Sequence, residues 1–229
     1  MRNIRSAGRP VLLSLALMAG ITAAPAQAAA QSMDLERLNV VADSVAHDHL
    51  ARNVTPGVTI AVARDGEIVF QEGYGLADVE NGVAARPETV YRIGSITKQF
   101  TAAGIMQLVE DGSLSLDDPI TDYLPGYDTQ GHPVTVRHLL NHTSGIKSYT
   151  GMGPTFWEQA RLDLSDQELV EVFSHEPFDF EPGENYLYNN SAYFLLGMIL
   201  GEVTGTPYAR WVEESVFEPL GMKSSRYCD

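Results

Sequence analysis

The chain has 229 residues, of which 44% are hydrophobic, and this is enough for one large domain or two small ones with a packed core. Thirty acidic against 15 basic residues give a formal net charge of −15, which argues against nucleic acid as a partner. Because Cys228 is the only cysteine in the sequence, we expect no internal disulfide.

The first 30 residues have the pattern of an export signal. Arg2, Arg5 and Arg9 precede an apolar run, and small residues around Ala28 follow it as cleavage candidates. We therefore predict a signal peptide over residues 1–30 and a periplasmic or secreted protein without a stable membrane span after cleavage. An uncleaved N-terminal anchor is the alternative, which the shortness of the apolar run disfavours.

A helix and a β-hairpin are predicted next. Apolar residues recur at near-helical spacing over residues 34–52. Two β-rich runs, 58–62 and 68–70, then flank an Asp-Gly pair, which is a strong hairpin signal. Residues 31–93 are accordingly assigned to the N-terminal part of an α/β domain.

The segment Ser95-Ile96-Thr97-Lys98 opens an apolar helix predicted over residues 95–111. Side chains at positions i and i+3 share a helix face, with their Cβ atoms about 5–6 Å apart. The first turn also favours negative charge, because its N–H groups are unpaired and the helix dipole is positive there. The pair thus combines a hydroxyl nucleophile with an amine. An isolated S-x-x-K is more often an N-cap with a solvated lysine, so other residues must support the catalytic interpretation.

Residues 94–229 are assigned to a mainly helical domain. Further helices are predicted over 135–141, 165–174, 191–204 and 207–217, and a loop is predicted over 116–131. Ser165 and Glu168 have capping-box spacing, and Gly205 supplies a C-terminal stop.

Tyr188 and Asn190 come just before the helix predicted from residue 191, where a phenol and an amide can face a cleft. Alone, this Y-x-N pattern is typical of a buried tyrosine and a helix-capping asparagine. The presence of Ser95 and Lys98 in the same sequence favours the interpretation that Tyr188 and Asn190 belong to a functional site.

Histidine pairs elsewhere are better explained by structure than by metal binding. His138 and His142 are four residues apart, but the residues between them lack the glutamate of a zincin. His47 and His49 point to opposite sides of the first predicted helix. We predict no metal site and no cofactor.

Five segments in chain order carry a family resemblance. They are Arg92-Ile93-Gly94-Ser95-Ile96-Thr97-Lys98-Gln99-Phe100-Thr101, residues 114–119, Leu139-Leu140-Asn141-His142-Thr143-Ser144-Gly145, residues 188–197 and Pro219-Leu220-Gly221-Met222. The sequence resembles the serine hydrolases of the class C β-lactamase-like and penicillin-binding-protein family, which also includes D,D-carboxypeptidases, D-aminopeptidases and esterases. The resemblance implies an α/β fold of the β-lactamase/transpeptidase type, with an antiparallel sheet flanked by helices plus an all-α domain.

The same resemblance implies roles for four residues. Ser95 is the nucleophile that accepts the acyl group, Lys98 is its partner, Tyr188 relays a proton, and Asn190 orients the substrate. Because the ordinary pKa values of lysine and tyrosine lie within about half a unit of each other, the base is assigned to the pair without a choice. The implied function is an exported serine hydrolase that attacks an ester, amide or β-lactam carbonyl of a small-molecule or peptide substrate.

The family's third motif, K-T-G or H-x-G on a late strand, has no counterpart after Met222. That strand lines the substrate cleft and supplies an oxyanion N–H beside that of Ser95. We therefore expect the C-terminal strands of the sheet to be missing. The alternative function is a catalytically incomplete fragment or a non-catalytic penicillin- or peptide-binding protein. The sequence leaves the oligomeric state open.

Overall fold

The computed structural model describes residues 23–159 and 161–228, so most of the predicted signal peptide, residues 1–22, lies outside it. The chain divides into two compact units, one that ends at Thr89 and one that starts at Val90. Within the described ranges, no helix is both long and apolar enough to cross a membrane.

The first unit contains one helix and a three-stranded antiparallel sheet in the order β1-β2-β3. Its elements are α1 (Ala23–Ala51), β1 (Gly57–Arg64), β2 (Glu67–Asp78) and β3 (Val83–Ala84). Helix α1 begins before the predicted residue 34, because the alanine-rich stretch ahead of that residue favours helix. Strand β3 was not predicted, since two residues are too few for a period-two pattern.

The predicted hairpin is confirmed. Arg64 pairs with Glu67, so Asp65 and Gly66 form the whole two-residue loop between β1 and β2. Both loop residues have positive φ, 53° and 82°, as a type I′ turn requires. The twist of such a turn matches the twist of the two strands that it joins.

Helix α1 packs within the first unit through small side chains. Ala42 and Ala46 are buried, whereas the larger Val41 and Val45 are about half exposed. Tyr74 on β2 donates a hydrogen bond from its hydroxyl to Asp43 Oδ1 at 2.7 Å, which ties the sheet to the helix.

The second unit is a set of helices around one hydrophobic core. Its helices are α2 (Thr97–Glu110), α3 (Val136–Leu140), α4 (Pro154–Gln159), α5 (Asp166–Ser174), α6 (Asn190–Thr204) and α7 (Tyr208–Val212), and a π-helical turn (Glu213–Phe217) follows α7. Four of the predicted helices, those matched by α2, α3, α5 and α6, are confirmed to within two residues. The helix predicted over 207–217 is α-helical only as far as Val212, and α4 was not predicted.

Helices α2 and α6 pack against each other and form the centre of this core. Ile105 on α2 and Leu195, Leu196 and Ile199 on α6 are completely buried. Met106, on the other side of α2, is 46% exposed although the predicted helix is apolar. Burial of α2 in this unit is therefore confined to one face.

The ends of α5 and α6 are capped by residues that commonly cap helices. Ser165 Oγ accepts the Glu168 N–H and the Glu168 carboxylate accepts the Ser165 N–H, which completes the capping box of α5. Gly205 ends α6 in the left-handed conformation, at φ 65°. Asn189 caps the other end of α6, where its side-chain oxygen accepts the Ala192 N–H at 2.9 Å.

Candidate active site

Ser95 and Lys98 lie at the start of α2. A 3₁₀ turn (Gly94–Ile96) carries Ser95 and leads directly into the helix, whose second residue is Lys98. Gly94 enters this turn with φ 52°, a conformation that glycine adopts without a steric penalty. The turn brings the two side chains together, and Lys98 Nζ donates to Ser95 Oγ at 3.2 Å.

Tyr188 and Asn190 reach the same place from the N-terminal end of α6. The Tyr188 hydroxyl donates to Ser95 Oγ at 2.6 Å, although 93 residues separate them in sequence. Lys98 Nζ also donates to Asn190 Oδ1, at 2.6 Å. The four predicted site residues therefore form one hydrogen-bonded cluster: Ser95, Lys98, Tyr188 and Asn190.

Ser95 Oγ accepts hydrogen bonds from both a phenol and an ammonium group. Two donors aimed at one oxygen stabilise negative charge on it, as an alkoxide nucleophile needs. A lysine ammonium has no acceptor, and a phenol that donates to the serine is not acting as its base. One proton must therefore leave the Lys98/Tyr188 pair before the pair can take the proton of Ser95.

The charge of Lys98 prepares this pair for proton transfer. Burial opposes ionisation of the Tyr188 phenol, but the hydrogen bonds that Lys98 and the Ser95 hydroxyl can donate to a phenolate, together with the charge of Lys98, outweigh it. The pKa of Tyr188 is thereby lowered from its ordinary value of 10.0. Lys98 Nζ also lies 4.7 Å from the centre of the Tyr188 ring and 5.5 Å from that of Tyr193, which is within cation–π range.

A turn that no sequence pattern marked holds Asn190 in place. Asn190 Nδ2 donates to Thr150 Oγ1 at 2.7 Å, and the backbone N–H of Asn190 donates to Ser148 Oγ at 3.1 Å. In return, the Tyr149 N–H donates to Ser191 Oγ at 2.9 Å. These contacts span about 40 residues of sequence, so local spacing could not reveal them.

His138 and His142 have backbone partners, in keeping with the structural roles predicted for them. His138 Nδ1 accepts the Thr135 N–H at 3.2 Å at the start of α3, and His142 Nδ1 accepts the Asn189 N–H at 3.0 Å. Burial is the main cause that lowers the pKa of each imidazole below 6.5. Across residues 23–159 and 161–228, no group of three or more His, Cys, Asp or Glu side chains is arranged to hold a metal ion.

The cluster opens into a cavity of about 930 Å³ within the second unit. Ser95, Lys98 and Asn190 supply polar groups at its wall. Much of the remaining lining is aromatic or apolar and includes Tyr149, Tyr193, Phe194, Met198 and Tyr208. A cavity of this size that combines apolar and aromatic walls with polar groups is typical of small-molecule sites.

A serine hydroxyl held between a lysine and a tyrosine defines a serine-hydrolase type of site in which the usual histidine base is replaced. The chain belongs to the Beta-lactamase family, which it matches over residues 42–227.

Curated relatives within this family carry different names. The chain is 35% identical over 170 residues to Penicillin-binding protein 4* of Bacillus subtilis (strain 168), covering 73% of this chain and 37% of that protein. It is 34% identical over 219 residues to Esterase EstB of Burkholderia gladioli, covering 89% of this chain and 55% of that protein.

Solved structures share the fold as well as the sequence. An octameric penicillin-binding protein homologue from Pyrococcus abyssi has 37% identity and a TM-score of 0.69, covering 83% of this chain and 43% of that one. D-amino acid amidase from Ochrobactrum anthropi SV3 has 34% identity and a TM-score of 0.72, covering 81% and 51%. The predicted β-lactamase/transpeptidase-like fold is thus confirmed. The chain spans between 37% and 55% of the length of these four relatives.

Proposed function

We propose that the protein is a serine hydrolase that works through an acyl-enzyme formed on Ser95. The observation that carries this proposal is the position of Ser95 Oγ, 2.6 Å from the Tyr188 hydroxyl and 3.2 Å from Lys98 Nζ. These distances are within reach of direct proton transfer between a nucleophile and its base.

The reaction has two halves that use the same groups. In the first half, Ser95 Oγ attacks a carbonyl carbon while its proton passes to the deprotonated Lys98/Tyr188 pair. The bond from that carbon to the leaving group then breaks, and the pair returns the proton to the leaving group. In the second half, water attacks the acyl group, gives one proton to the pair, and the pair reprotonates Ser95 as the acid is released.

We propose an ester, amide or β-lactam carbonyl as the substrate class. Two kinds of observation support it. Relatives are named as an esterase, an amidase and a penicillin-binding protein, and the cavity beside Ser95 has aromatic side chains in its walls. Residues 1–30 further support export to the periplasm or the medium.

The acyl-enzyme proposal is tested by intact mass after incubation of the full chain with a fluorophosphonate probe. Attack by Ser95 Oγ on phosphorus expels fluoride and leaves one phosphonyl group on the protein. We expect a single adduct on the wild type and none on Ser95→Ala. A folded wild type without an adduct, or an adduct that persists in the variant, contradicts the proposal. Equal binding of a penicillin or a peptide by both proteins without an adduct supports the non-catalytic alternative.

The substrate class is tested by comparing hydrolysis of a chromogenic ester, a D-amino acid anilide and a chromogenic cephalosporin. We expect turnover of at least one of them by the wild type and none by Ser95→Ala. The relative kcat/KM values then separate esterase, amidase and β-lactamase activity, because all three use the same nucleophile but differ in the group that leaves.

A further inference from the structure

His142 accepts hydrogen bonds from the backbone of the residues on either side of Tyr188. The Leu187 N–H donates to the His142 carbonyl oxygen at 3.0 Å, and the Asn189 N–H donates to His142 Nδ1, also at 3.0 Å. Because Tyr188 lies between these two donors, one residue fixes the backbone before and after the phenol.

The imidazole also contacts the phenol ring itself. Its ring centre lies 4.7 Å from that of Tyr188, with the planes 39° apart. It also lies 5.0 Å from the ring of Tyr193, which belongs to α6. The His142 ring is half-buried beside these aromatic groups, so its contacts limit the directions in which Tyr188 can turn.

The backbone at His142 is held in an uncommon conformation. Its φ is 60°, in the left-handed region that a residue with a Cβ rarely adopts. Such a conformation persists only where the surrounding structure enforces it. The next residues supply that support: Thr143 O accepts the Gly183 N–H at 2.8 Å, and Gly145 O accepts the Asp179 N–H at 2.7 Å.

We propose that His142 is a positioning residue, which places the Tyr188 hydroxyl against Ser95 by accepting the backbone N–H groups of Leu187 and Asn189, the residues on either side of Tyr188. The inference rests on the proposed serine-hydrolase function and adds a residue to it. His142 acts through Tyr188 and not on the substrate. The 2.6 Å contact between Tyr188 and Ser95 therefore depends on a hydrogen-bond acceptor at residue 142.

This role requires an unprotonated Nδ1, since a protonated nitrogen cannot accept the Asn189 N–H. Lys98, Tyr186, Tyr188 and Tyr193 are the titratable groups that face the imidazole. Burial and the charge of Lys98 lower the pKa of His142 below 6.5, so the ring is neutral at pH 7. Protonation at lower pH breaks the bond to Asn189 and releases one side of Tyr188.

The test compares His142→Asn with His142→Gly. Asparagine and glycine both tolerate positive φ, and both remove the ring, but only asparagine offers an oxygen near the position of Nδ1. We expect amide exchange of Asn189, measured by NMR, to stay slow in His142→Asn and to become about tenfold faster in His142→Gly. Labelling of Ser95 by the fluorophosphonate should follow the same order, with His142→Gly about tenfold slower than His142→Asn.

The pH profile of labelling separates positioning from a general loss of stability. Below pH 6.5 the wild type should lose a further part of its rate as His142 is protonated, and His142→Asn should lack that step. Equal exchange of Asn189 in all three proteins overturns the proposal, even if the wild type fails to label and the hydrolase function itself is wrong. A folded His142→Asn that labels as slowly as His142→Gly, or that keeps the wild-type step below pH 6.5, also overturns it.

Discussion

The amide nitrogen of Asn190 donates a hydrogen bond to Thr150 Oγ1 at 2.7 Å, which fixes one end of the amide. The opposite end of the same amide, Oδ1, accepts from Lys98 Nζ at 2.6 Å. A protonated lysine can only donate, so a flipped amide would set two donors against each other. Thr150 thus helps to keep the acceptor of Asn190 directed at the ammonium group.

Thr150→Val is therefore expected to slow labelling of Ser95 by about tenfold, because a freed Asn190 amide no longer holds Lys98 near Ser95. Thr150→Ser keeps the hydroxyl and should label at a rate close to that of the wild type. The rate constants for adduct formation, measured together with the thermal midpoints, check this. Equal rates for the valine and serine variants would show that Asn190 keeps its orientation without residue 150.

Tyr188→Phe removes the hydroxyl that lies 2.6 Å from Ser95 Oγ. We expect labelling and hydrolysis to fall by about 10²- to 10⁴-fold, the usual contribution of a positioned acid or base. The free energy of unfolding should change little, because the Tyr188 side chain is 44% exposed. Tyr186→Phe is the matched control, since Tyr186 is 63% exposed and close in sequence. Comparable rate losses in both variants would contradict a specific role for the Tyr188 hydroxyl.

Lys98→Met tests the electrostatic link between the ammonium group and the phenol. Hydrogen bonding and charge from Lys98 lower the pKa of Tyr188 against the opposing effect of burial. Without Lys98 its hydrogen bond and its charge no longer favour the phenolate while burial still opposes ionisation, so the pKa of Tyr188 should rise. Ultraviolet difference titration of each protein against its Tyr188→Phe counterpart measures this. An unchanged phenol pKa would mean that Lys98 does not control ionisation of Tyr188.

The sequence was sufficient to predict contacts between residues that are close in the chain, both in the site and elsewhere. Ser95 and Lys98 are three residues apart, in a 3₁₀ turn that continues into α2, so their contact follows from local helical geometry. The Asp65-Gly66 turn and the cap at Ser165 follow from equally local rules. The meeting of Tyr188 with Ser95 was predicted only through a family resemblance, since no periodicity links residues 93 positions apart.

Contacts made by short irregular segments could not be predicted. The bond from Asn190 to Thr150 depends on a turn that has no periodic pattern. The contact of His142 with Asn189 depends on a left-handed residue that is not glycine, and such residues have no reliable sequence signature. Helix α4 was missed because its only large apolar side chains, Phe156 and Trp157, are adjacent and show no helical repeat.

Close packing around α2 leads to the last prediction. A Cβ added to Gly104 would lie 2.5 Å from both Leu200 Cδ1 and Trp211 Cη2, nearer than real Cβ atoms approach. Gly104 thus allows α2 to pack closely against α6 and α7. Gly104→Ala should lower the free energy of unfolding by about 1–3 kcal/mol, because the buried Leu200 and Trp211 must shift.

Gly197 on α6 provides the matched comparison. A Cβ there would lie 3.5 Å from Tyr208 Cδ2, an ordinary van der Waals distance. Gly197→Ala should therefore raise the free energy of unfolding by up to about 1 kcal/mol, since alanine favours a helix interior over glycine. Urea unfolding with equal m-values measures both changes. If Gly104→Ala were as stable as the wild type, α2 and its neighbours could separate without cost, and the position of Ser95 would not depend on their close packing.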